Sequence, residues 1–172
     1  MKYSVQPTSE ELVMRDNEFI ISKTDLQGKI TYANRTFMEY SGFTEQELLN
    51  APHSIIRHPD MPRGVFKLLW DTVQSGVEIC AYVKNMSKSG AYYWVFANVT
   101  PVVDGNGAIV GYYSVRRKPK TEAIRAIEPL YREMLQAEQR TNSKEAPSVS
   151  VQLAVEKLKE LSIEYDEFVL SL

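Results

Sequence analysis

Three strand-like stretches joined by tight turns fill the middle of the chain and constrain its fold more than any other feature. The stretches run over about Glu78–Met86, Tyr92–Val103 and Ala108–Arg117. The connections Lys88–Gly90 and Asp104–Gly107 are rich in the residue types that close hairpins. Strands joined by hairpins pair antiparallel, so this region predicts an antiparallel sheet and excludes a parallel α/β arrangement.

A shorter hairpin and several helical patterns come before these three strands. Glu18–Thr24 and Lys29–Ala33 have strand-like composition, and a short turn separates them. Asn34–Glu39 has a helical pattern, and Thr44 with Glu47 forms a capping box three residues apart. The order of strands, helices and strands predicts an α+β domain.

The helix nearest to the three strands is the clearest one in the sequence. Arg63–Ser75 carries apolar residues at spacings of three and four, and Gly76 ends it. These apolar positions are Val65, Phe66, Leu69, Trp70 and Val73. Three prolines between Pro52 and Pro62 exclude a long helix just before it.

Both ends of the chain have their own patterns. A short helix over about Ser9–Asp16 is expected near the start, and Pro129 later either kinks a helix or begins a new one. We therefore divide the chain into an N-terminal cap (1–17), a central domain (18–118), a connecting helix (119–140), a polar linker (141–150) and a C-terminal amphipathic helix (151–172).

The composition excludes several classes of protein. The net charge of -2, from 20 Lys and Arg against 22 Asp and Glu, gives no general attraction to nucleic acid. One cysteine and two histidines cannot form an internal disulfide or a Cys-rich zinc site. No stretch approaches the ~20 apolar residues of a membrane helix. We expect a cytoplasmic protein without direct membrane insertion.

Motifs of the common enzyme classes are missing. The sequence has no Gly-x-x-x-x-Gly-Lys phosphate loop, no Gly-x-Gly-x-x-Gly and no Gly-x-Ser-x-Gly. Asp60 and Glu78 are carboxylates without a matched partner. The basic run Arg116-Arg117-Lys118, with Lys120, is interpreted as a solvated strand end, and a partner-docking patch is the alternative. We expect a protein that is not an enzyme.

Motifs on the first hairpin and on the later strands resemble the PAS fold. Thr24-Asp25-Leu26 followed by Ile30-Thr31-Tyr32-Ala33-Asn34 looks like its first hairpin. Ser41–Leu48 is similar to the helices that follow, and Trp94-Val95 with 104–107 to the later strands. The resemblance implies a five-stranded antiparallel sheet with short helices over one face, followed here by C-terminal helices.

A narrower match lies in the middle of the chain. Pro52–Pro62, which contains Arg-His-Pro-Asp-Met-Pro, is followed by Val83-Lys84-Asn85, Tyr93-Trp94-Val95 and Ala97-Asn98. This pattern is similar to the flavin-binding PAS domain of bacterial aerotaxis and energy-taxis sensors. The resemblance implies an FAD-based redox or oxygen sensor, here as a free-standing PAS protein that works with a chemoreceptor or another signalling protein.

The same resemblance supplies candidate cofactor-binding residues. It maps flavin-binding positions onto Asn34, Arg57, His58, Asp60, Phe66 and Asn85. The two asparagine amides suit the donor and acceptor edge of the ring, and the arginine suits the phosphates. Aromatic side chains supply flat walls, and Trp70, Tyr93 and Trp94 complete the candidate set.

Two features leave the choice of cofactor open. Ile79 stands where such domains often carry a tryptophan against the flavin ring, so flavin affinity is in question. His58 can serve as a loop anchor, a flavin contact or a haem ligand, with Asp60 raising its pKa. The alternatives to FAD are therefore a haem-based gas sensor and a cofactor-free scaffold that binds proteins. Cys80 lies on a strand, so flavin–cysteinyl photochemistry is rejected, and His53 is expected to be an ordinary turn residue.

The long strand is apolar on both of its faces. Tyr93, Val95, Ala97 and Val99 alternate with Tyr92, Trp94 and Phe96, whereas a half-exposed strand alternates apolar with polar residues. The outer face therefore needs a cover, which is the N-terminal segment, the C-terminal helices or another subunit. Because PAS domains often pair through this face, the resemblance favours a homodimer.

Overall fold

The computed structural model describes residues 5–172 and contains one five-stranded antiparallel sheet. The spatial order of the strands is β2-β1-β5-β4-β3. The strands are β1 Ile20–Thr24, β2 Ile30–Ala33, β3 Ile79–Met86, β4 Tyr92–Val103 and β5 Ile109–Arg117. The predicted α+β architecture with an antiparallel sheet is confirmed.

The helices form two groups, one between β2 and β3 and one after β5. The helices are α1 Arg35–Ser41, α2 Glu45–Leu48, α3 Arg63–Gln74, α4 Thr121–Gln139, α5 Ala146–Glu160 and α6 Tyr165–Ser171, with a 3₁₀ turn at His53–Ile56. Helix α3 packs against β3 and β4 through its apolar side, as the spacing of its apolar residues predicts.

Local capping explains where the first two helices begin. The Asn34 side chain accepts a hydrogen bond from the Phe37 amide at the start of α1, and Gly42, with φ of 71°, ends that helix. Thr44 and Glu47 form the predicted capping box of α2. The stability of these two short helices therefore depends more on their terminal residues than on their length.

The helix expected over Ser9–Asp16 is wrong, because this segment is extended along β4. Glu10 and Leu12 exchange backbone hydrogen bonds of 2.9 and 2.7 Å with Tyr92. The pairing of β4 with β5 stops at Phe96, so the start of β4 has a free edge there. Backbone pairing on that free edge outweighs the local capping preference.

The C-terminal region is more helical than the sequence pattern indicates. Helix α4 continues through Pro129 without a break. Helix α5 begins at Ala146, inside the stretch expected to be a linker, because Pro147 is compatible with a first helical turn. The single helix expected over 151–172 is divided near Ser162, whose φ of 56° ends the helical geometry.

The outer face of the sheet is covered by the chain itself. Tyr92 and Trp94 share a groove with Leu12 of the N-terminal segment and Ile124 of α4. The Tyr131 hydroxyl of α4 donates a 2.8 Å hydrogen bond to the Tyr82 carbonyl on β3, and α6 packs against the same strand. The N-terminal and C-terminal segments thus share the cover that the sequence pattern requires.

One buried carboxylate joins the C-terminal helices to α3. Glu138, at the end of α4, accepts hydrogen bonds from the Gly64 amide at 2.8 Å and the Arg63 amide at 3.0 Å. It also accepts one from the Ser150 hydroxyl of α5 at 2.6 Å. Pro62 offers α3 no side-chain cap, so Glu138 satisfies the exposed amides of that helix from a distant part of the chain.

Replacing this carboxylate should destabilise the whole protein. Glu138→Ala leaves two helix amides without their acceptor and removes one of the two acceptors of the Ser150 hydroxyl, so we expect the free energy of unfolding to fall by about 2–4 kcal/mol. Urea unfolding measures the change. The control is Glu133→Ala on the same helix, whose half-exposed pair with Lys157 is screened by solvent and should contribute much less. Equal losses in both variants would contradict the assigned role.

Candidate functional site

A cavity of about 360 Å³ lies between the inner face of the sheet and α3. This volume is at the lower end of the range for ligand and cofactor sites. Its walls come from four parts of the chain: the inner face of the sheet, the turn between β1 and β2, helix α3, and the segment 52–57 that precedes that helix. The same helix that forms one wall also contacts α5 on its other side.

The walls of this cavity are largely apolar and aromatic. Helix α3 contributes Phe66, Leu69 and Trp70, and the sheet contributes Val83, Ala97, Val99 and Tyr112. The rings of Trp70 and Tyr112 meet edge to face with centroids 5.2 Å apart. Gly28, with φ of 76°, lets the chain pass close to Trp70, since an added Cβ would lie 2.8 Å from the indole ring.

Two of the predicted polar residues meet at this cavity. Asn85 is only 3% exposed, and its side-chain amide forms no hydrogen bond with any other described residue. The Arg57 backbone forms a bridge with Asn85, and the half-buried guanidinium lies 4.3 Å from the centre of the Phe66 ring. The guanidinium also donates a 3.4 Å hydrogen bond to the Met61 carbonyl. Arg57, Phe66 and Asn85 therefore line one space.

Another polar cluster lies against the same cavity. Arg116 is 2% exposed and donates hydrogen bonds to the Ser22 hydroxyl and to His53 Nε2. Its guanidinium lies 4.6 Å from the centre of the Phe37 ring. The basic run at the end of β5 predicts a solvated strand end for Arg116. The period of two along β5 instead turns Arg116 inward and leaves Arg117 exposed.

The cluster carries one positive charge at neutral pH. Burial is the main cause that lowers the pKa of His53 to about 3, and the charge of Arg116 adds to this effect. Burial also lowers the pKa of Arg116 to about 10, which leaves the guanidinium protonated. Among the described residues, no carboxylate forms an ion pair with Arg116. His53, expected to be an ordinary turn residue, is thus a neutral member of this cluster.

His58 and Asp60 are not among the cavity-lining residues. His58 is 2% exposed, and its Nδ1 accepts a 3.1 Å hydrogen bond from the Asp60 amide. Asp60 pairs with Lys84 at 2.8 Å. Burial and the Lys84 charge lower the pKa of His58; Asp60 acts to raise it, as expected, but its effect is outweighed. This geometry fits the loop-anchor interpretation of His58.

Asn34 also lies away from the cavity and uses its amide in the fold. Its Oδ1 accepts hydrogen bonds from the Ile21 and Phe37 amides, both at 3.0 Å, and its Nδ2 donates to the Phe19 carbonyl at 2.8 Å. Tyr93 is fully buried beside Tyr40, with ring centroids 5.8 Å apart, and Trp94 lies on the outer face. The structure thus brings Arg57, Phe66, Trp70 and Asn85 of the candidate set to the cavity.

Two β3 residues that the sequence analysis weighed against flavin chemistry, Ile79 in place of a tryptophan and the cysteine Cys80, lie outside the cavity lining. Ile79 is 3% exposed and packs with Val73 and Tyr112, while Trp70 supplies the tryptophan of the cavity wall. Cys80 is half-buried on β3, where its Sγ lies 3.4 Å from Asn98 Nδ2. An indole is therefore available to a flat ligand from helix α3 instead of from β3.

Within residues 5–172, no helix combines the length and the apolarity that a membrane span needs.

Several named proteins are similar in sequence to part of this chain. The chain is 45% identical to the aerotaxis receptor of Escherichia coli over 125 residues, which is 73% of this chain and 24% of the receptor. It is 29% identical to the nitrogen fixation regulatory protein of Klebsiella pneumoniae over 97 residues, 56% of this chain and 20% of that protein. The chain therefore spans about a quarter or less of these relatives.

Solved structures support the same fold. A light-oxygen-voltage domain described with a flavin analogue aligns with a TM-score of 0.57 and 22% identity, covering 63% of this chain and 82% of that one. The dark-state domain of the blue-light photoreceptor Aureochrome1 aligns with a TM-score of 0.53 and 25% identity, covering 71% and 83%. The sequence profile described as PAS fold matches residues 30–116, which is half of the chain. From this match and from the five-stranded sheet, we conclude that the chain belongs to the PAS fold family.

Proposed function

We propose that this PAS protein is a flavin-based redox or oxygen sensor of the aerotaxis type. The observation that carries the proposal is the aromatic cavity that holds polar groups without protein partners, above all the buried amide of Asn85. The Asn85 amide faces the cavity without a protein partner, and a bound ring with donors and acceptors along its edge would pair with it. The 45% identity with an aerotaxis receptor supports the same proposal.

The residues around the cavity fit the parts of FAD. Phe66 and Trp70 offer flat apolar surfaces to the isoalloxazine ring, and Asn85 offers a donor and an acceptor to its edge. Arg57 is half-buried and stands at the same cavity with guanidinium donors available for phosphate. The bound flavin would supply reversible electron transfer, which the protein side chains lack.

Helix α3 can carry a change in the cavity to the C-terminal helices. Phe66 and Trp70 lie on its cavity side, whereas Gly64 lies against α5 so closely that an added Cβ would collide with the Ser150 hydroxyl. The Glu138 carboxylate fixes the same end of α3 to α4 and α5. Movement of α3 would therefore shift both helices, which are the elements we propose to contact a partner.

The proposed partner is a chemoreceptor or another signalling protein in the cytoplasm. A homodimer is also proposed, through surfaces beyond the covered outer face of β4. Leu161 and Leu170, near the C-terminus, are 68% and 65% exposed and offer apolar surface for such contacts. The names of the aerotaxis receptor and of the nitrogen fixation regulatory protein support signalling as the role of this chain.

The cavity favours flavin over haem. Of the two histidines, His53 lines the cavity, and its Nε2 lies 3.1 Å from the Ser22 hydroxyl and 3.3 Å from Arg116. A nitrogen with two polar neighbours at these distances has no free lone pair for an iron atom. His58, the candidate haem ligand of the sequence analysis, lies outside the cavity lining.

The absorption spectrum of the purified protein tests the proposed cofactor. We expect the two flavin bands in the near ultraviolet and the blue, and chromatography of the released cofactor should identify FAD. A Soret band would identify haem instead. A colourless protein that stays colourless after incubation with FAD would favour the cofactor-free scaffold and contradict the proposal.

Asn85 and Asn34 should respond differently to alanine substitution. Asn85→Ala removes the amide from the cavity, so FAD affinity should fall about tenfold or more while stability changes little. Asn34→Ala removes the cap of α1 and its bonds to β1, so unfolding free energy should fall by about 1–2 kcal/mol with flavin affinity of the folded protein preserved. Titration calorimetry and urea unfolding separate the effects, and the reverse pattern would contradict both assignments.

Arg57→Ala should weaken a phosphate-bearing flavin selectively. If its guanidinium meets the phosphates, FAD affinity falls about tenfold, whereas lumiflavin, which has the ring without phosphates, keeps its affinity. Titration of both flavins against the variant measures the contrast. Equal losses for the two flavins would show that Arg57 contacts the ring instead.

A further inference from the structure

Arg116 is a buried cation that the protein leaves largely without partners. The guanidinium has five N–H donors, and the structure pairs two of its nitrogens, with Ser22 and with His53. The Nε–H is buried and has no hydrogen-bond partner. Buried arginines are normally paired with a carboxylate, because an unpaired charge in a protein interior is costly.

The fold itself does not require a guanidinium at this position. The Ser22 hydroxyl and His53 Nε2 are 3.1 Å apart and satisfy each other without it. The Phe37 ring, 4.6 Å from the guanidinium, offers an apolar face that can also pack against an apolar side chain. The charge therefore costs stability in the protein without a ligand and needs another explanation.

We infer that Arg116 determines the specificity of the cavity by donating to an acceptor-rich or anionic edge of the bound ring. The inference rests on the proposed flavin site and adds a residue to it. The planar fork of arginine suits two neighbouring acceptors, such as a carbonyl oxygen and the ring nitrogen beside it. Phosphate is the weaker partner, because Arg116 is 2% exposed whereas Arg57 is half-buried and better placed for a solvated tail.

The substitution that tests the inference is Arg116→Met, with Arg117→Met as the matched control. Arg117 is the next residue of β5, is exposed, and lies against the Phe96 ring on the outer face. Apoprotein of each variant is titrated with FAD and with lumiflavin, and its urea unfolding is measured without ligand. We expect Arg116→Met to lose at least about tenfold affinity for both flavins by the same factor, because the ring is common to both.

The urea-unfolding measurement does not depend on any ligand. We expect the Arg116→Met apoprotein to be as stable as the wild type or more stable, because an unpaired buried charge has been replaced by an apolar side chain. Arg117→Met should leave both flavin affinities unchanged. Arg116→Lys keeps the charge without the planar fork, so it should lose affinity for both flavins to a smaller degree.

Each of the remaining possible results contradicts either the role of Arg116 or the proposed flavin site. Unchanged flavin binding in Arg116→Met overturns the role of Arg116 and leaves the flavin site intact, and a loss confined to FAD moves its contact to the phosphates. If the Arg116→Met apoprotein is clearly less stable than the wild type, Arg116 is a structural residue. If that variant does not fold, Arg116→Lys decides: full affinity of this variant for both flavins overturns the inference. A wild-type protein that takes up neither flavin overturns the proposed function and with it the ligand assigned to Arg116.

Discussion

The sheet of this protein is apolar on both faces where β3 and β4 pair, and the rest of the structure depends on how each face is covered. On the outer face, the N-terminal segment and α4 cover Trp94, and α6 packs against β3. On the inner face, α3 covers the sheet but leaves a cavity of about 360 Å³. The two faces are thus treated differently: the outer one is closed by the chain, and the inner one keeps room for a ligand.

Unpaired polar groups around the cavity lower the stability of the protein without a ligand. Asn85 and the Nε–H of Arg116 are buried without protein partners, although a fully packed interior would pair them or replace them with apolar groups. His53 stays neutral beside the arginine, because burial and the neighbouring charge both lower its pKa. A net positive charge and an unpaired amide at this cavity would suit a ligand that brings acceptors. Through Glu138 and Gly64, the helix over that site is joined to the C-terminal helices.

The sequence predicts the sheet and α3 well, because their signals are local. Hairpin turns, the Thr44–Glu47 capping box and the apolar spacing of α3 depend on neighbouring residues. The extended path of the N-terminal segment depends on the free edge of β4, a tertiary feature that no local pattern encodes. At the site, Arg57, Phe66 and Asn85 were identified by resemblance, while Arg116 was missed because it stands in a basic run. The alternation along β5 was the available signal, since it separates Arg116 from Arg117.

In the proposed function, polar groups that lack protein partners would be bound by a flavin ring. The most direct measurement is the NMR signal of the Arg116 Nε–H, assigned in ¹⁵N-labelled wild-type apoprotein and followed on addition of FAD. We predict a large shift and slower exchange with water for this N–H and for the Asn85 side-chain amide, as each gains an acceptor or donor partner. Flavin binding that leaves both signals unchanged would contradict the account.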